Sequence, residues 1–149
     1  MVQLVPMTES EFQVYSKRSI ENYAQEHIRA GDWHPSEALQ KAEKEFMRLC
    51  PDGVASKNQH FFSIEDGNTG EKVGMIWFAL RIEALRSLAF IYDFLIYEEF
   101  RRRGYGKQTF IVLEEKAKEL GADKISLHVF GHNKPAIALY QMAGYEITD

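Results

Sequence analysis

The sequence predicts a mixed α/β domain, and three observations point there. Short β-prone runs alternate with segments of helical period, glycine and proline fall singly where the period changes, and no internal repeat or low-complexity tract occurs. The chain has 149 residues, 45% of them hydrophobic, which suits one domain over residues 1–149 with one core.

Val2 to Val5 is β-prone, and Thr8 with Glu11 forms a Thr-x-x-Glu capping box that opens a helix. That helix carries Phe12, Tyr15, Ser19, Tyr23 and Ile28 on one side and stops near Gly31. Pro35 suits the first turn of a second helix through Leu39, Phe46 and Leu49, which Pro51-Asp52-Gly53 ends. His60 to Ile64, the turn Asp66-Gly67-Asn68-Thr69-Gly70, and Val73 to Leu80 read as strand, turn, strand. A break over Arg81 to Ser87 leads into Leu88 to Tyr97, the best candidate for a central strand, with Asp93 in its middle.

After Gly104-Tyr105-Gly106 the period becomes helical at Phe110, Leu113, Ala117 and Leu120, with Gly121 as terminator. Ile125, Leu127 and Val129 then alternate with Ser126, His128 and Phe130 as a strand. Asn133 and Pro135 open a last helix, Gly144 ends it, and Tyr145 to Asp149 begins a final strand. The expected order is β, α, α, β, β, β, α, β, α, β.

Composition excludes several classes. The net charge of −4 gives no general attraction to nucleic acid or an anionic membrane, so neither is expected as a partner. No segment approaches the ~20 apolar residues of a membrane span and no basic leader stands at the start, so a soluble cytoplasmic protein is expected. The single cysteine, Cys50, reads as a small buried hydrophobe. His128 and His132 form no spaced ligand set with other His, Cys or Asp residues, and no metal is expected.

The segment with the clearest chemistry is Arg101-Arg102-Arg103-Gly104-Tyr105-Gly106-Lys107, lying between a strand and a helix. Free backbone N–H groups at a helix start bind anions, and glycines let that backbone approach a diphosphate. Alone, such a segment reads equally as a basic solvated turn. The nucleotide P-loop pattern is absent, because Lys107 is followed by Gln108, and the dinucleotide fingerprint lacks its third glycine near position 109.

Arg101, Gly104 and Gly106 after a long apolar strand match [Arg/Gln]-x-x-Gly-x-[Gly/Ala] and resemble motif A of the GNAT N-acetyltransferase superfamily. Asn133, Ala136 and Tyr140, closed by Gly144-Tyr145, resemble its motif B, with the family's usual spacing between the two. The resemblance implies a GNAT fold: a mostly antiparallel central sheet, a splayed parallel strand pair and flanking helices. It implies acetyl-CoA as cosubstrate and an amine acceptor, without metal. It also implies that the amides of Gly104, Tyr105 and Gly106 hold the diphosphate, helped by Arg101, Arg102, Arg103 and Lys107. The backbone near Phe94, Leu95 and Ile96 would pair with the pantetheine arm, and Asn133 would contact it.

By the same resemblance Tyr140 stands near the sulfur and hydrogen-bonds or protonates the departing thiolate; the alternative is a helix tyrosine packing the core. Asn133 is equally a helix N-cap. Asp93, an acid in an apolar strand, binds the acceptor ammonium, helps remove its proton, or holds a structural hydrogen bond. Glu65, Asp66, Glu83, Glu98 and Glu99 read as solvated charges. Many family members extend further past the Gly-Tyr pair, so one wall of the acceptor cleft is expected to be absent or to come from a partner. An edge strand allows a homodimer. The competing readings are a weakly active acyl-CoA-binding module on the same fold and an interaction domain with no CoA site.

Overall fold

The computed structural model describes residues 1–127 and, beyond them, Ala138 and Tyr140. The described order is β1 (Val2–Pro6), α1 (Glu9–Arg29), α2 (Ala38–Leu49), β2 (Gln59–Asp66), β3 (Lys72–Glu83), β4 (Arg86–Ile96), α3 (Tyr105–Glu119) and β5 (Lys124–Leu127). Two short 3₁₀ turns, Gly53–Ala55 and Glu98–Phe100, complete it. This order matches the first eight expected elements. Asn133 and the final strand lie outside the described residues, whereas Ala138 and Tyr140 have helical backbone as expected.

The chain divides into two compact units, Met7–Gln59 and the remainder, Met1–Pro6 with His60–Asp149. In the first, the capping box forms in full: Glu11 N–H donates to Thr8 Oγ1 at 3.2 Å and Thr8 N–H to Glu11 Oε1 at 2.9 Å. A satisfied cap of this kind stabilises a helix start by about 1 kcal/mol. The far end stops at Gly31, whose φ of +81° is left-handed backbone that a side chain resists.

Helix α2 begins at Ala38, three residues beyond Pro35. The intervening turn is held instead by Glu37 N–H donating to the His34 carbonyl and Ser36 N–H to His34 Nδ1. Its buried face is Ala38, Ala42 and Phe46, at i, i+4 and i+8, while Leu39 is exposed. Tyr23 of α1, expected on the inner side, is 38% exposed and packs edge-on against Trp33, and the small Ala24 takes the inward place beside Ala38 and Ala42. Cys50 is buried as expected, and burial pushes its thiol up to about 12.

Among the described residues, the second unit holds a five-stranded mixed sheet in the order β1-β2-β3-β4-β5. β1 runs antiparallel to β2, β3 antiparallel to β4, and β5 parallel to β4 with Leu88 opposite Lys124. The break expected over Arg81 to Ser87 is a two-residue turn. Strands β3 and β4 run on to Glu83 and Arg86, and only Ala84 and Leu85 separate them, at φ of +49° and +66°. A hairpin turn of this length wants positive φ, normally signalled by Asn-Gly, and Ala-Leu carries no such signal.

A bulge interrupts β4. Trp77 faces Asp93 and the next residue, Phe78, faces Ile91, so Tyr92 is the extra residue. The insertion flips parity: Ala89 and Ile91 before it, and Phe94 and Ile96 after it, all join the same core. That core continues into α3 through Phe110, Leu113 and Ala117, with Phe94 stacked on Phe110 at 4.9 Å between centroids. An unbroken alternation would have sent Phe94 to the other face.

Candidate active site

The loop after β4 is built from its end upward. Arg101 Nε donates to the Ile96 carbonyl at 2.9 Å, so this guanidinium ties the loop back to the strand end. Arg102 has a φ of +66° and Gly104 one of +84°; Gly104 is the N-cap of α3. A Cβ built on Gly104 meets only Gln108 Nε2, at 4.0 Å, so backbone conformation rather than lack of space calls for glycine there.

The first bond inside α3 is Gln108 N–H to the Gly104 carbonyl. The amides of Tyr105, Gly106 and Lys107 precede it and have no acceptor within the helix. The first turn contains no acid, and Arg103 and Lys107 are exposed beside it. Oriented amides, the positive end of a helix and nearby cations form an arrangement that receives a phosphate or diphosphate. The donor set therefore fits the diphosphate of an acyl-CoA.

Glycine also shapes the preceding strand. Gly74 of β3 lies opposite Ile96, and a Cβ built there falls 2.1 Å from the Leu95 carbonyl oxygen and 3.1 Å from Ile96 Cα. The two backbones approach too closely for any side chain. Sequence reading passed over Gly74, although a glycine inside a strand run is itself the signal of such an approach.

On its other side β4 pairs with β5 up to Ile91 opposite Leu127, the last described pair, and then continues to Ile96. The stretch of Phe94, Leu95 and Ile96 lies beyond that pair and leads to the loop. Whether β5 diverges from it concerns residues outside those described, as do Asn133, His128 and His132.

Tyr140 and Asp93 come into electrostatic reach of each other. Tyr140 is 5% exposed and packs edge-on against Phe94 and Phe110, with centroids at 6.3 and 5.9 Å. Burial, and then the charge of Asp93, hold its phenol well above the usual tyrosine value. A phenol in that state stays neutral at neutral pH and is a weaker acid than a free tyrosine. Asp93 itself is half-buried beside the bulge.

Asp66, read as a solvated charge, is instead engaged: the Tyr105 hydroxyl donates to Asp66 Oδ2 at 2.6 Å. No sequence pattern links two residues so far apart. Among the described residues, no group of three or more His, Cys, Asp or Glu is placed to hold a metal ion, and no helix is long and apolar enough to cross a membrane.

A mixed sheet whose central strand feeds a glycine loop and a helix start is an α/β arrangement suited to a phosphate-bearing ligand, and similarity to known proteins gives the family. Residues 20–145 match the model of the Acetyltransferase (GNAT) family, and the chain belongs to that family. It is 38% identical to a Bacillus subtilis protein named uncharacterized N-acetyltransferase YdgE, over 98% of this chain and 92% of the relative. It is 37% identical to another from the same organism, named uncharacterized N-acetyltransferase YycN, over 99% and 94%. The crystal structure of YycN superposes with a TM-score of 0.91 at 36% identity, covering 100% of this chain and 94% of that one. A Pyrococcus furiosus structure described as an acetyl transferase shares the fold at a TM-score of 0.65 and 23% identity.

Proposed function

We propose that this chain transfers the acetyl group of acetyl-CoA to a primary amine of a small molecule, peptide or protein, by direct attack in a ternary complex. One observation carries the reading: after the bulged strand β4, a left-handed Gly104 opens α3 with three amides ahead of the first helical bond and no acid in the first turn. Family membership and relatives named N-acetyltransferase support the amine as acceptor.

In this reading the amides of Tyr105, Gly106 and Lys107 bind the diphosphate, with Arg102, Arg103 and Lys107 adding positive charge. Arg101 contributes by fixing the strand end through the Ile96 carbonyl. The backbone of Phe94, Leu95 and Ile96 pairs with the pantetheine arm, and an N–H there polarises the thioester carbonyl. Acetyl-CoA supplies the activated acetyl group.

Tyr140 hydrogen-bonds or protonates the departing thiolate, and burial keeps the phenol neutral until then. Asp93 attracts the acceptor ammonium and helps to remove its proton. Asn133 contacts the pantetheine arm. No Cys or Ser nucleophile enters, since the buried thiol of Cys50 is held protonated. The protein acts as one cytoplasmic domain over residues 1–149, without a metal, and the edge strand allows a homodimer.

Calorimetric titration with acetyl-CoA tests the reading, in parallel with Gly104→Asp, which adds a negative charge at the helix start and strains its backbone. Binding by the parent and a loss of at least about tenfold in the folded variant is the expected result. An amine panel then reads turnover. Binding without turnover toward any amine makes the chain an acyl-CoA-binding module, and no binding by the parent overturns the reading.

A further inference from the structure

The glycine loop poses a physical problem. Tyr105 stands between Gly104 and Gly106, the residue type with the most backbone freedom, yet its amide must be held still to bind an anion at little entropic cost. Its side chain is anchored from outside the loop. The hydroxyl donates at 2.6 Å to Oδ2 of Asp66, 39 residues earlier in the chain, at the end of β2.

The acceptor is itself immobilised. Asp66 Oδ1 accepts from the Asn68 and Thr69 amides at 2.8 and 3.3 Å, Asp66 N–H donates to the Glu71 carbonyl, and Gly70 N–H donates to the Asp66 carbonyl. The carboxylate is thus a fixed point of the β2–β3 turn rather than a swinging chain. Its pKa lies below the usual carboxylate value, chiefly through the Tyr105 hydrogen bond, so it is ionised at neutral pH and the bond is charge-assisted.

Further bonds converge on the same turn of α3. The Thr109 hydroxyl, fully buried, donates to the Tyr105 carbonyl at 2.7 Å. Gln108 Oε1 accepts from Val2 N–H at 3.1 Å, and Gly67 N–H, next to Asp66, donates to the Met1 carbonyl. The Tyr105 ring rests edge-on against Phe100, whose ring also receives the Arg103 guanidinium at 5.6 Å. Strand β1, the β2–β3 turn and the loop therefore meet around the first turn of α3.

We propose that Asp66 is a positioning residue for the acyl-CoA site: through the Tyr105 hydroxyl it fixes the first turn of α3, so that the loop amides are set for the diphosphate before ligand arrives. The proposal rests on the acetyl-CoA reading above. It assigns the β2–β3 turn, which carries no family motif residue, a share in cofactor affinity.

Acetyl-CoA affinity is measured by calorimetry for the parent, Tyr105→Phe, Asp66→Ala, Asp66→Asn and the double variant Tyr105→Phe/Asp66→Ala. Hydrogen exchange at the Gln108 amide, which makes the first helical bond, and the melting temperature are read without ligand. A charge-assisted bond at a partly exposed place predicts a loss of about 5- to 10-fold for Tyr105→Phe and for Asp66→Ala. The double variant loses no more than either single one, Asp66→Asn recovers part of the loss through its amide oxygen, and exchange quickens at the Gln108 amide with little change in melting temperature.

Variants that bind as tightly as a binding parent overturn this proposal and leave the acetyl-CoA reading standing. Additive losses in the double variant, or losses that follow a general fall in stability, also overturn it, because they describe two independent structural roles. A parent that binds no acetyl-CoA overturns the reading and this inference with it.

Discussion

Tyr140 is where a packing role and a chemical role coincide in one side chain. Its ring packs edge-on against the stacked pair Phe94 and Phe110, and its phenol is held protonated by burial and by Asp93. Tyr140→Phe keeps the ring and removes the proton, so turnover of acetyl-CoA with an amine should fall about 100-fold while the apparent affinity changes little. Folding provides a second check. The folded phenol holds its proton more tightly than the unfolded one, so its contribution to stability is full below a pH of about 10 and is lost as pH rises further. Stability measured from neutral to alkaline pH should therefore fall less steeply in Tyr140→Phe. The motif spacing singled out Tyr140 from sequence alone; the aromatic walls around it come from β4 and α3 and were not legible there.

At the scale of elements, the informative departures from regularity are the bulge at Tyr92 and the glycine at position 74. The bulge lets Ile91 and Phe94, three residues apart, face one core, which explains why Leu88 to Tyr97 reads as an apolar run without clear alternation. Gly74 lets β3 lie against Leu95 and Ile96, the stretch proposed to pair with pantetheine. Gly74→Ala should cost about 1–3 kcal/mol in denaturant unfolding and weaken acetyl-CoA binding, because the strand must shift to admit the methyl group. A stable variant with parental affinity would show that the approach of the two backbones is incidental. Helix boundaries were legible where side chains cap them, as at Thr8 and Glu11, and were missed where loop bonds decide, as between Pro35 and Ala38.

At the scale of the whole molecule, the loop proposed to receive the anion is anchored by residues distant in the chain, so ligand binding and folding of the sheet unit should be linked. Acetyl-CoA at about 100 times its Kd should stabilise the protein by about 2.7 kcal/mol, seen as a rise in melting temperature of roughly 5–10 °C. The same concentration should leave Gly104→Asp almost unmoved. A rise of equal size in that variant would locate the binding energy elsewhere than the helix start.

What the sequence by itself determined is local: the order of the described elements, the capping box, the glycine loop before α3, and the two motif blocks whose spacing resembles one family. Each of these depends on contacts within a few residues or on spacing along one chain. Tertiary structure decided the rest. The tight Ala84-Leu85 turn is imposed by the pairing of β3 with β4, and the parity flip in β4 by an extra residue visible only against its partner strand. Asp66 became a partner of Tyr105 because the β2–β3 turn folds onto the start of α3. A hydrogen bond across 39 residues leaves no period, cap or motif in the sequence, since its energy depends on where two distant backbones are carried by everything packed between them.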